Sequence, residues 1–320
     1  MPAYIARRLL WMVAILLAVT FLTFIIFYLL PAVEPAALRA GKTPSPALIA
    51  HIRRALGLQR PWYDQYLRFL DRLVFHFDLG YSYQYDISVR SALLERLPAT
   101  VSLTVGAALL WTVGALVLGT LAALRRGTLL DRLVGAGTLL GISAPVYWLG
   151  LLALFLFADV TGKVHLLPGA GSYVPISEEA LQWFKSLILP WLVLAVSLGA
   201  FYARLLRASL TEVLAEPYIR TARAKGISQA RVVLRHALRP ALTPFLTAAG
   251  MDIALLLGGA ILTETAFNIP GIGRLLYEAV LNGDLPMIQG TVLVGAIFIV
   301  AMNVIVDLLY AYLDPRVRLA

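Results

Sequence analysis

Six long stretches with few or no charged residues limit the fold of this chain more than any other feature. They cover residues 9–30, 99–124, 133–158, 186–203, 242–266 and 285–306, and only the fifth contains acids, Asp252 and Glu264. Each stretch approaches or exceeds the roughly 18 to 20 apolar residues that a helix needs to cross a hydrocarbon core of about 30 Å. We therefore predict an all-α integral membrane protein with six transmembrane helices. The first stretch is longer than the core of a signal peptide, so we expect it to remain as an anchor.

The composition excludes most other classes of protein. Hydrophobic residues make up 60% of the chain and charged residues only 14%, which is too apolar for a soluble domain of this length. The absence of cysteine excludes disulfides, thiolate nucleophiles and cysteine-ligated metal sites. The net charge of +9 lies mainly in loops between apolar stretches, so we expect membrane lipid around the chain and no nucleic-acid partner.

Lysine and arginine predict how the chain is oriented. With the N-terminus inside, the inner segments hold many more cations than acids, whereas the outer segments are nearly balanced. The positive-inside tendency therefore places both termini in the cytoplasm. The predicted parts are the N-terminus with the first helix (1–30), an external segment (31–98), a core of five helices (99–313) with a large inner loop at about 207–241, and a cytoplasmic tail (314–320).

Helical spacing and prolines add local predictions. Within the external segment, aromatic and apolar residues recur at helical spacing from Pro61 to Val74, which predicts a helix whose aromatic stripe serves packing. Inside the spans, Pro145 and Pro190 predict kinks because proline lacks a backbone N–H.

The large inner loop has the residues of a helix, a turn and a second helix. Pro217 can begin the first helix, and Gly226 can end it in the left-handed conformation. Ser228 can cap a second helix, which we expect Pro240 to end. Arginines recur every four residues along one face of this second helix, and an apolar face comprises Ala230, Val233, Leu234, Ala237 and Leu238.

Three carboxylates lie in or directly beside the predicted spans, namely Asp252 and Glu264 in the fifth and Asp307 at the end of the sixth. A charge at membrane depth is costly and usually faces the interior of the bundle or an aqueous path. Two interpretations stay open, because the acids can pair with neighbouring helices or line a transport path. Glu264, expected near the outer end of its helix, is the best candidate to meet a cationic group.

Other chemical motifs are incomplete. Gly41-Lys42-Thr43 ends like a phosphate-binding loop but lacks the earlier glycine, because Ala36 occupies that position. Ser143 in an apolar span would need a base within the membrane to act as a nucleophile. The four histidines are scattered among loops, which argues against both a protease and a histidine metal site.

The inner hairpin resembles the coupling loop of ABC importer permeases, and in particular that of the dipeptide, oligopeptide and nickel subgroup. The similarity lies in 218–226 (Tyr-Ile-Arg-Thr-Ala-Arg-Ala-Lys-Gly) and 234–240 (Leu-Arg-His-Ala-Leu-Arg-Pro), although Arg220 and Thr221 replace the first two residues of the general Glu-Ala-Ala pattern. Further landmarks follow in the family's order, at 4–10, 57–61, 78–82, 95–100, 270–276 and 307–318.

The resemblance implies a fold, a role and a set of partners. The fold is the type I importer transmembrane domain with an extra N-terminal span and external segment. The role is that of the first permease subunit of an importer in a bacterial or archaeal plasma membrane, with a homologous second permease, two cytoplasmic ABC ATPase subunits and an external substrate-binding protein. This chain would hold no cofactor and no catalytic residue, since ATP and Mg²⁺ bind to the ATPases.

The resemblance also implies which residues couple transport to the ATPases. We expect the apolar face of the hairpin to enter a groove on the ATPase and its arginines to meet acids at the rim. The coupling residues would be Tyr218, Arg220, Ala222, Arg223, Gly226, Ser228, Arg231 and Arg235. Peptides are the expected solute, with nickel chelates and short glycans as alternatives.

Two other classes of protein remain as alternatives at this point. An ion-gradient-driven secondary transporter would account for the three intramembrane acids, but the sequence has no inverted repeat and does have a capped inner hairpin. A structural or receptor-like membrane protein would explain neither feature.

Overall fold

A computed structural model describes residues 2–29, 59–82 and 84–313, and these are mostly helical. In chain order the helices are α1 (Pro2–Phe24), α2 (Trp62–His76), α3 (Val89–Leu124), α4 (Leu129–Ser143), α5 (Val146–Phe157), α6 (Ala180–Ala215), α7 (Pro217–Ala224), α8 (Gln229–Arg231), α9 (Leu238–Leu257), α10 (Ile261–Ala266), α11 (Ile272–Asn282) and α12 (Leu285–Leu313). Two π-helical turns, π1 (Ile25–Leu29) and π2 (Val232–Ala237), continue α1 and α8. Strands β1 (Tyr81–Ser82) and β2 (Ile87–Ser88) form a small antiparallel hairpin.

The predicted all-α membrane architecture is confirmed. Five continuous helical segments are long and apolar enough to cross a membrane: Leu10–Leu29, Val89–Leu124, Ala180–Ala215, Gln229–Leu257 and Leu285–Val306. Helices α4 and α5 together make a sixth span if this bent pair is counted as one. Residue 30 at the end of the first predicted span, residues 31–58 and 83 of the predicted external segment, and the predicted tail 314–320 lie outside the described residues.

The third predicted span, 133–158, is not a single straight helix. Helices α4 and α5 meet at an angle of 103° around Ala144 and Pro145. Proline disfavours the helical conformation in the residue before it, and Ala144 is accordingly extended, with φ −84° and ψ 124°. The predicted kink at Pro145 is therefore a complete break. Pro190, by contrast, lies inside the continuous helix α6.

The fifth predicted span, 242–266, ends earlier than expected. Helix α9 stops at Leu257, and Gly258 and Gly259 separate it from α10. Gly259 has φ +126°, and a Cβ atom there would lie 2.5 Å from the Cα of Gly273. Gly258 and Gly259 therefore allow the chain to turn at a point where its backbone touches that of Gly273. The pattern of apolar residues in the sequence did not reveal this break.

The centre of the bundle is the long contact between α3 and α6. The indole N–H of Trp191 donates a hydrogen bond to the carbonyl of Ser102 at 3.0 Å. The same indole fills the space beside Gly106, where a Cβ atom would come within 2.0 Å of the ring. Further along the pair, Trp111 stacks on Tyr202 with ring centroids 6.0 Å apart. Small residues opposite large aromatic rings thus lock these two helices together.

The helix predicted from Pro61 is confirmed as α2, and its aromatic stripe packs against α1 and π1. The ring of Tyr66 lies 5.3 Å from that of Phe24, and the ring of Phe69 lies 5.8 Å from that of Tyr28. The hydroxyl groups of Tyr66 and Thr20 are 3.1 Å apart. This confirms the expected packing role of the stripe.

Different structural elements lie at the two ends of the bundle. The hairpin end carries residues 125–131 and 216–231, and Asp131 there binds Arg207 of α6. The opposite end carries α2, the β-hairpin, the loop 158–179, α10 and α11. There Gly171 donates to the carbonyl of Phe267 at 2.9 Å, and the hydroxyl of Ser82 donates to the carboxylate of Asp284, which also caps α12.

Candidate functional site

The hairpin between α6 and α9 contains the turn that the sequence predicts. Pro217 is the first residue of α7, and Gly226 follows the helix with φ +74°. The N–H of Ile227 donates to the carbonyl of Ala222 at 3.3 Å, and the N–H of Gly226 donates to that of Arg223 at 3.0 Å. These two bonds are those of a Schellman turn, which requires a residue that tolerates positive φ.

The second half of the hairpin continues directly into a membrane helix. Ser228 occupies the N-cap position, since its carbonyl accepts from the N–H of Val232 at 3.0 Å, but its side chain makes no capping bond. The expectation that Pro240 ends this helix is wrong, because α9 runs through it. Proline leaves the carbonyl of His236 without a helical donor, and the hydroxyl of Tyr218 lies 3.5 Å from that oxygen.

The apolar face of the hairpin is turned toward the chain's own core. Its buried members are Ile219, Ala222, Val232, Val233 and Ala237. This corrects the expectation that the apolar face enters a groove on a partner, because these side chains are already covered. Leu234, which was expected on that face, is 68% exposed. The π-helical turn holds more residues per turn than an α-helix, so it rotates the following positions relative to the predicted pattern.

The outer side of the hairpin is basic and carries one aromatic ring. Its exposed residues include Tyr218, Arg220, Arg223, Arg231 and Arg235. Within the described part of the chain, none of these four arginines makes an ion pair or a side-chain hydrogen bond. Burial raises the pKa of the Tyr218 phenol, and the nearby carboxylate of Glu216 adds to this effect. The hairpin therefore presents unpaired guanidinium groups that suit an acidic partner.

A largely buried ion pair supports the hairpin from the neighbouring loop. Arg207 on α6 binds Asp131 at the start of α4, with Nε–Oδ1 at 2.5 Å and Nη2–Oδ2 at 2.9 Å. The N–H of Gly127 donates to the same carboxylate at 3.0 Å. The sequence analysis did not single out this pair, although Asp131 is an isolated acid among the arginines of its loop.

Glu264 lies at the opposite end, in the short helix α10, and is fully buried. Its carboxylate accepts hydrogen bonds from the hydroxyl of Thr100 at 2.8 Å and from the N–H of Arg274 at 2.9 Å. The Thr100 hydroxyl in turn accepts from the N–H of Ile272 at 2.8 Å. A Cβ atom at Gly271 would lie 2.3 Å from the carboxylate. The charge therefore sits at the N-terminus of α11, where the helix dipole stabilises it.

This position corrects the expected placement of Glu264 near the outer end of a transmembrane helix. The break at Gly258 and Gly259 removes it from the span, and its oxygens are occupied by donors of this chain. Of the two interpretations left open for the acids, pairing with neighbouring elements describes Glu264.

The other two acids lie on neighbouring membrane helices, away from the Glu264 cluster. Asp252 on α9 is half-buried and accepts a hydrogen bond from the hydroxyl of Tyr202 on α6 at 2.6 Å. Asp307 lies on α12, and its side chain is outside the described residues. Among the described residues, no group of three histidine, aspartate or glutamate side chains could hold a metal ion.

Comparisons with known proteins match the chain along its whole length. The family model described as "Binding-protein-dependent transport system inner membrane component" matches residues 115–319, and the model of the corresponding N-terminal region matches residues 1–104. The chain belongs to this family. The permease is 42% identical over 318 residues to a peptide transport system permease protein of Brucella abortus, with 99% of each chain covered.

Two further relatives have similar coverage. The dipeptide transport system permease proteins of Alkalihalophilus pseudofirmus and Escherichia coli are 38% and 36% identical to the permease. Each alignment covers 99% of this chain, and it covers 100% and 99% of the relative, respectively. The match confirms the resemblance seen in the sequence and identifies a transport permease that spans the membrane several times. It does not favour the ion-gradient-driven alternative.

Proposed function

We propose that this permease is one of two membrane subunits of an ATP-driven importer of di- or oligopeptides. The observation that carries the proposal is the end-to-end match to relatives named for peptide or dipeptide transport. The partners are a homologous second permease, two cytoplasmic ATPase subunits and an external substrate-binding protein. The permease itself binds no cofactor and performs no catalysis, since ATP and Mg²⁺ are bound by the ATPase subunits.

The hairpin end of the bundle faces the cytoplasm in this proposal. The excess of arginine at 125–132 and 204–239 supports that orientation through the positive-inside tendency. Both termini then lie in the cytoplasm of a bacterial or archaeal cell, and the segment 31–98 lies outside it. The translocation core comprises 99–313, with the coupling loop at about 207–241.

The exposed side of the hairpin receives the movement of the ATPases. Tyr218 and the arginines at 220, 223, 231 and 235 contact an acidic rim, whereas Ala222, Gly226 and Ser228 maintain the shape of the hairpin. Helix α6 leads into the hairpin, and the segment Gln229–Leu257 leads out of it as one helical span. A displacement of the hairpin is therefore transmitted into two membrane helices and alternates the access of the path.

Asp252 and Asp307 remain the candidates for polar groups along the translocation path. Asp252 is half-buried, and one of its oxygens is engaged by Tyr202. The second carboxylate oxygen can bind water or a solute group at membrane depth, which is where a functional acid is expected.

Reconstitution tests the proposal directly. The permease, its sister permease, both ATPases and the binding protein are placed in vesicles, and uptake of radiolabelled dialanine is measured with ATP and with a non-hydrolysable analogue. We expect uptake with ATP and no uptake with the non-hydrolysable analogue. The same vesicles are tested with a nickel chelate and a short glycan.

Two results would contradict the proposal. Uptake of the chelate or the glycan but not of the peptide would reassign the solute. Uptake by the permease alone in response to a proton or sodium gradient would overturn the ATP-driven mechanism itself.

A further inference from the structure

A cavity of about 400 Å³ lies at the opposite end of the bundle from the hairpin, and its mainly apolar wall includes several polar side chains. The residues that line it include Glu95, Arg96, Ser102, Tyr173, Pro175 and Pro270. This volume lies within the range of about 300 to 1,000 Å³ that is typical of small-molecule sites. The first part of α3, the loop 158–179 and the segment before α11 form its walls. Three separate elements thus meet around one water-accessible space.

Two opposite charges line this cavity without being paired. Glu95 is exposed and Arg96 is half-buried, and neither makes an ion pair or a side-chain hydrogen bond to any other described residue. Consecutive residues on a helix do not face each other, so Glu95 and Arg96 do not neutralise one another. Both precede the long uncharged part of α3, which places them outside the hydrocarbon core. The lining of the cavity therefore includes one unpaired anion and one unpaired cation.

We propose that this cavity is a transit site for a zwitterionic peptide, in which Glu95 binds the terminal ammonium group and Arg96 binds the terminal carboxylate. The proposal rests on the peptide importer function proposed above and adds the residues that receive the solute at the external mouth. Arginine suits this role because its planar guanidinium can bind a carboxylate through two hydrogen bonds. The hydroxyl groups of Ser102 and Tyr173, two other lining residues, supply neutral polar contacts.

The buried cluster around Glu264 positions one wall of the cavity. Thr100 lies one helical turn after Arg96 and is hydrogen-bonded to Glu264. Pro270, in the cavity wall, directly precedes Gly271, which packs against the same carboxylate. Glu264 thus fixes α3 relative to the start of α11, and it acts as a positioning residue rather than as a ligand for the solute.

The alternative occupant of this cavity is a loop of the external binding protein. Two measurements distinguish a transported peptide from such a loop. In the complete importer, stimulation of ATP hydrolysis by the loaded binding protein reports docking, whereas dialanine uptake reports passage of the solute. We expect Glu95→Gln and Arg96→Gln to lower uptake about tenfold each, because each removes one charge-assisted contact. Stimulated hydrolysis should stay within about twofold of the unaltered importer.

Matched controls come from nearby charges that do not line the cavity. Arg90→Gln on the same helix and Glu178→Gln in the same loop remove exposed charges and should change neither measurement. If Glu95→Gln or Arg96→Gln instead raises the concentration of binding protein needed for stimulation, the cavity is a docking surface and the proposal is wrong. Normal uptake in both variants would overturn it as well.

Reversing the pair provides a further test. A zwitterion can bind in either direction, so the double variant Glu95→Arg, Arg96→Glu should recover more uptake than either single reversal. A protein partner has charges in fixed places and would not be accommodated by the exchange. Recovery no better than that of the single reversals would count against a transit site.

Ligand protection gives a measurement independent of transport activity. The chain has no cysteine, so Ser177→Cys in the cavity and Glu178→Cys beside it each provide a single label site. During turnover, excess dialanine should slow thiol labelling at position 177 several-fold and leave position 178 unchanged. The slowing should be absent with Arg96→Gln in the same chain.

No slowing at position 177 in an importer that takes up dialanine would overturn the transit site and leave the peptide importer intact. Failure of the unaltered importer to take up any peptide would instead refute the underlying function.

Discussion

The guanidinium group of Arg207 binds both carboxylate oxygens of Asp131, and this pair connects α6 to the loop that follows α3. Asp131 is 8% exposed, whereas Arg207 is 35% exposed. The pair lies close to the point where α6 leads into the basic hairpin. It therefore fixes the start of α4 to the part of α6 that precedes the hairpin.

Asp131→Asn should destabilise the permease because it removes the charge that binds Arg207, and the loss should be smaller than for a fully buried pair because Arg207 is partly hydrated. The thermal denaturation midpoint of the purified importer measures this loss. Arg204→Gln, an exposed arginine on the same helix, is the matched control and should leave the midpoint unchanged. An unchanged midpoint in Asp131→Asn would show that the pair contributes little.

Gly226→Val should uncouple ATP hydrolysis from uptake, because a β-branched residue is strained at φ +74° by at least about 1 to 2 kcal/mol. A Cβ atom at this position meets nothing within 4 Å, so the effect comes from the turn rather than from a clash within this chain. Gly226→Asn is the control, because asparagine tolerates the left-handed conformation and should retain most uptake. Substrate-stimulated hydrolysis and uptake are measured together, and normal values for the valine variant would contradict the coupling role.

Glu264→Gln should reduce the amount of folded permease and lower uptake of all peptides equally. The two carboxylate oxygens accept from the Thr100 hydroxyl and the Arg274 N–H, whereas the amide has one accepting oxygen, so one of these donors loses its acceptor at a cost of about 1 to 3 kcal/mol in a buried site. Uptake of lysyl-alanine and dialanine is compared after correction for the amount of permease. Glu278→Gln, a partly exposed carboxylate on α11, is the control. A selective loss of the cationic peptide would restore Glu264 as a solute ligand.

Single cysteines test the proposed orientation without removal of any native thiol. Cysteines at the exposed positions Ser91 and Ser177 should react with an impermeant maleimide in intact cells. Cysteines at the exposed positions Thr128 and Ser228 should react only after the cells are opened. Labelling of position 228 in intact cells would invert the proposed topology.

The sequence predicts those parts of the fold that depend on local chemistry. Uncharged runs locate the membrane helices, since the cost of a charge in hydrocarbon applies wherever the helix packs. The turn at Gly226 and the helix after Pro61 are likewise local and are found as predicted.

The parts that were missed depend on tertiary contacts. The break at Gly259 follows from the close approach of Gly273, which belongs to a different helix and lies at the start of α11. The inward apolar face of the hairpin depends on a π-helical turn, and the pairing of Arg207 with Asp131 joins two helices that are far apart in sequence. Residue patterns within one segment carry no information on such contacts.

The clamp between Trp191 and Ser102 has a mechanical consequence for α6. This helix has 36 residues, which corresponds to a length of about 54 Å. Its weakest point is Pro190, where the helix lacks one backbone hydrogen bond, and the clamp holds the next residue firmly to α3. If α6 turns about this held point, its longer arm reaches about 36 Å to the hairpin and its shorter arm about 17 Å to the opposite end. A tilt of about 10° then moves the hairpin by roughly 6 Å and the opposite end by roughly 3 Å, so the clamp makes α6 a lever that reduces the movement it passes on.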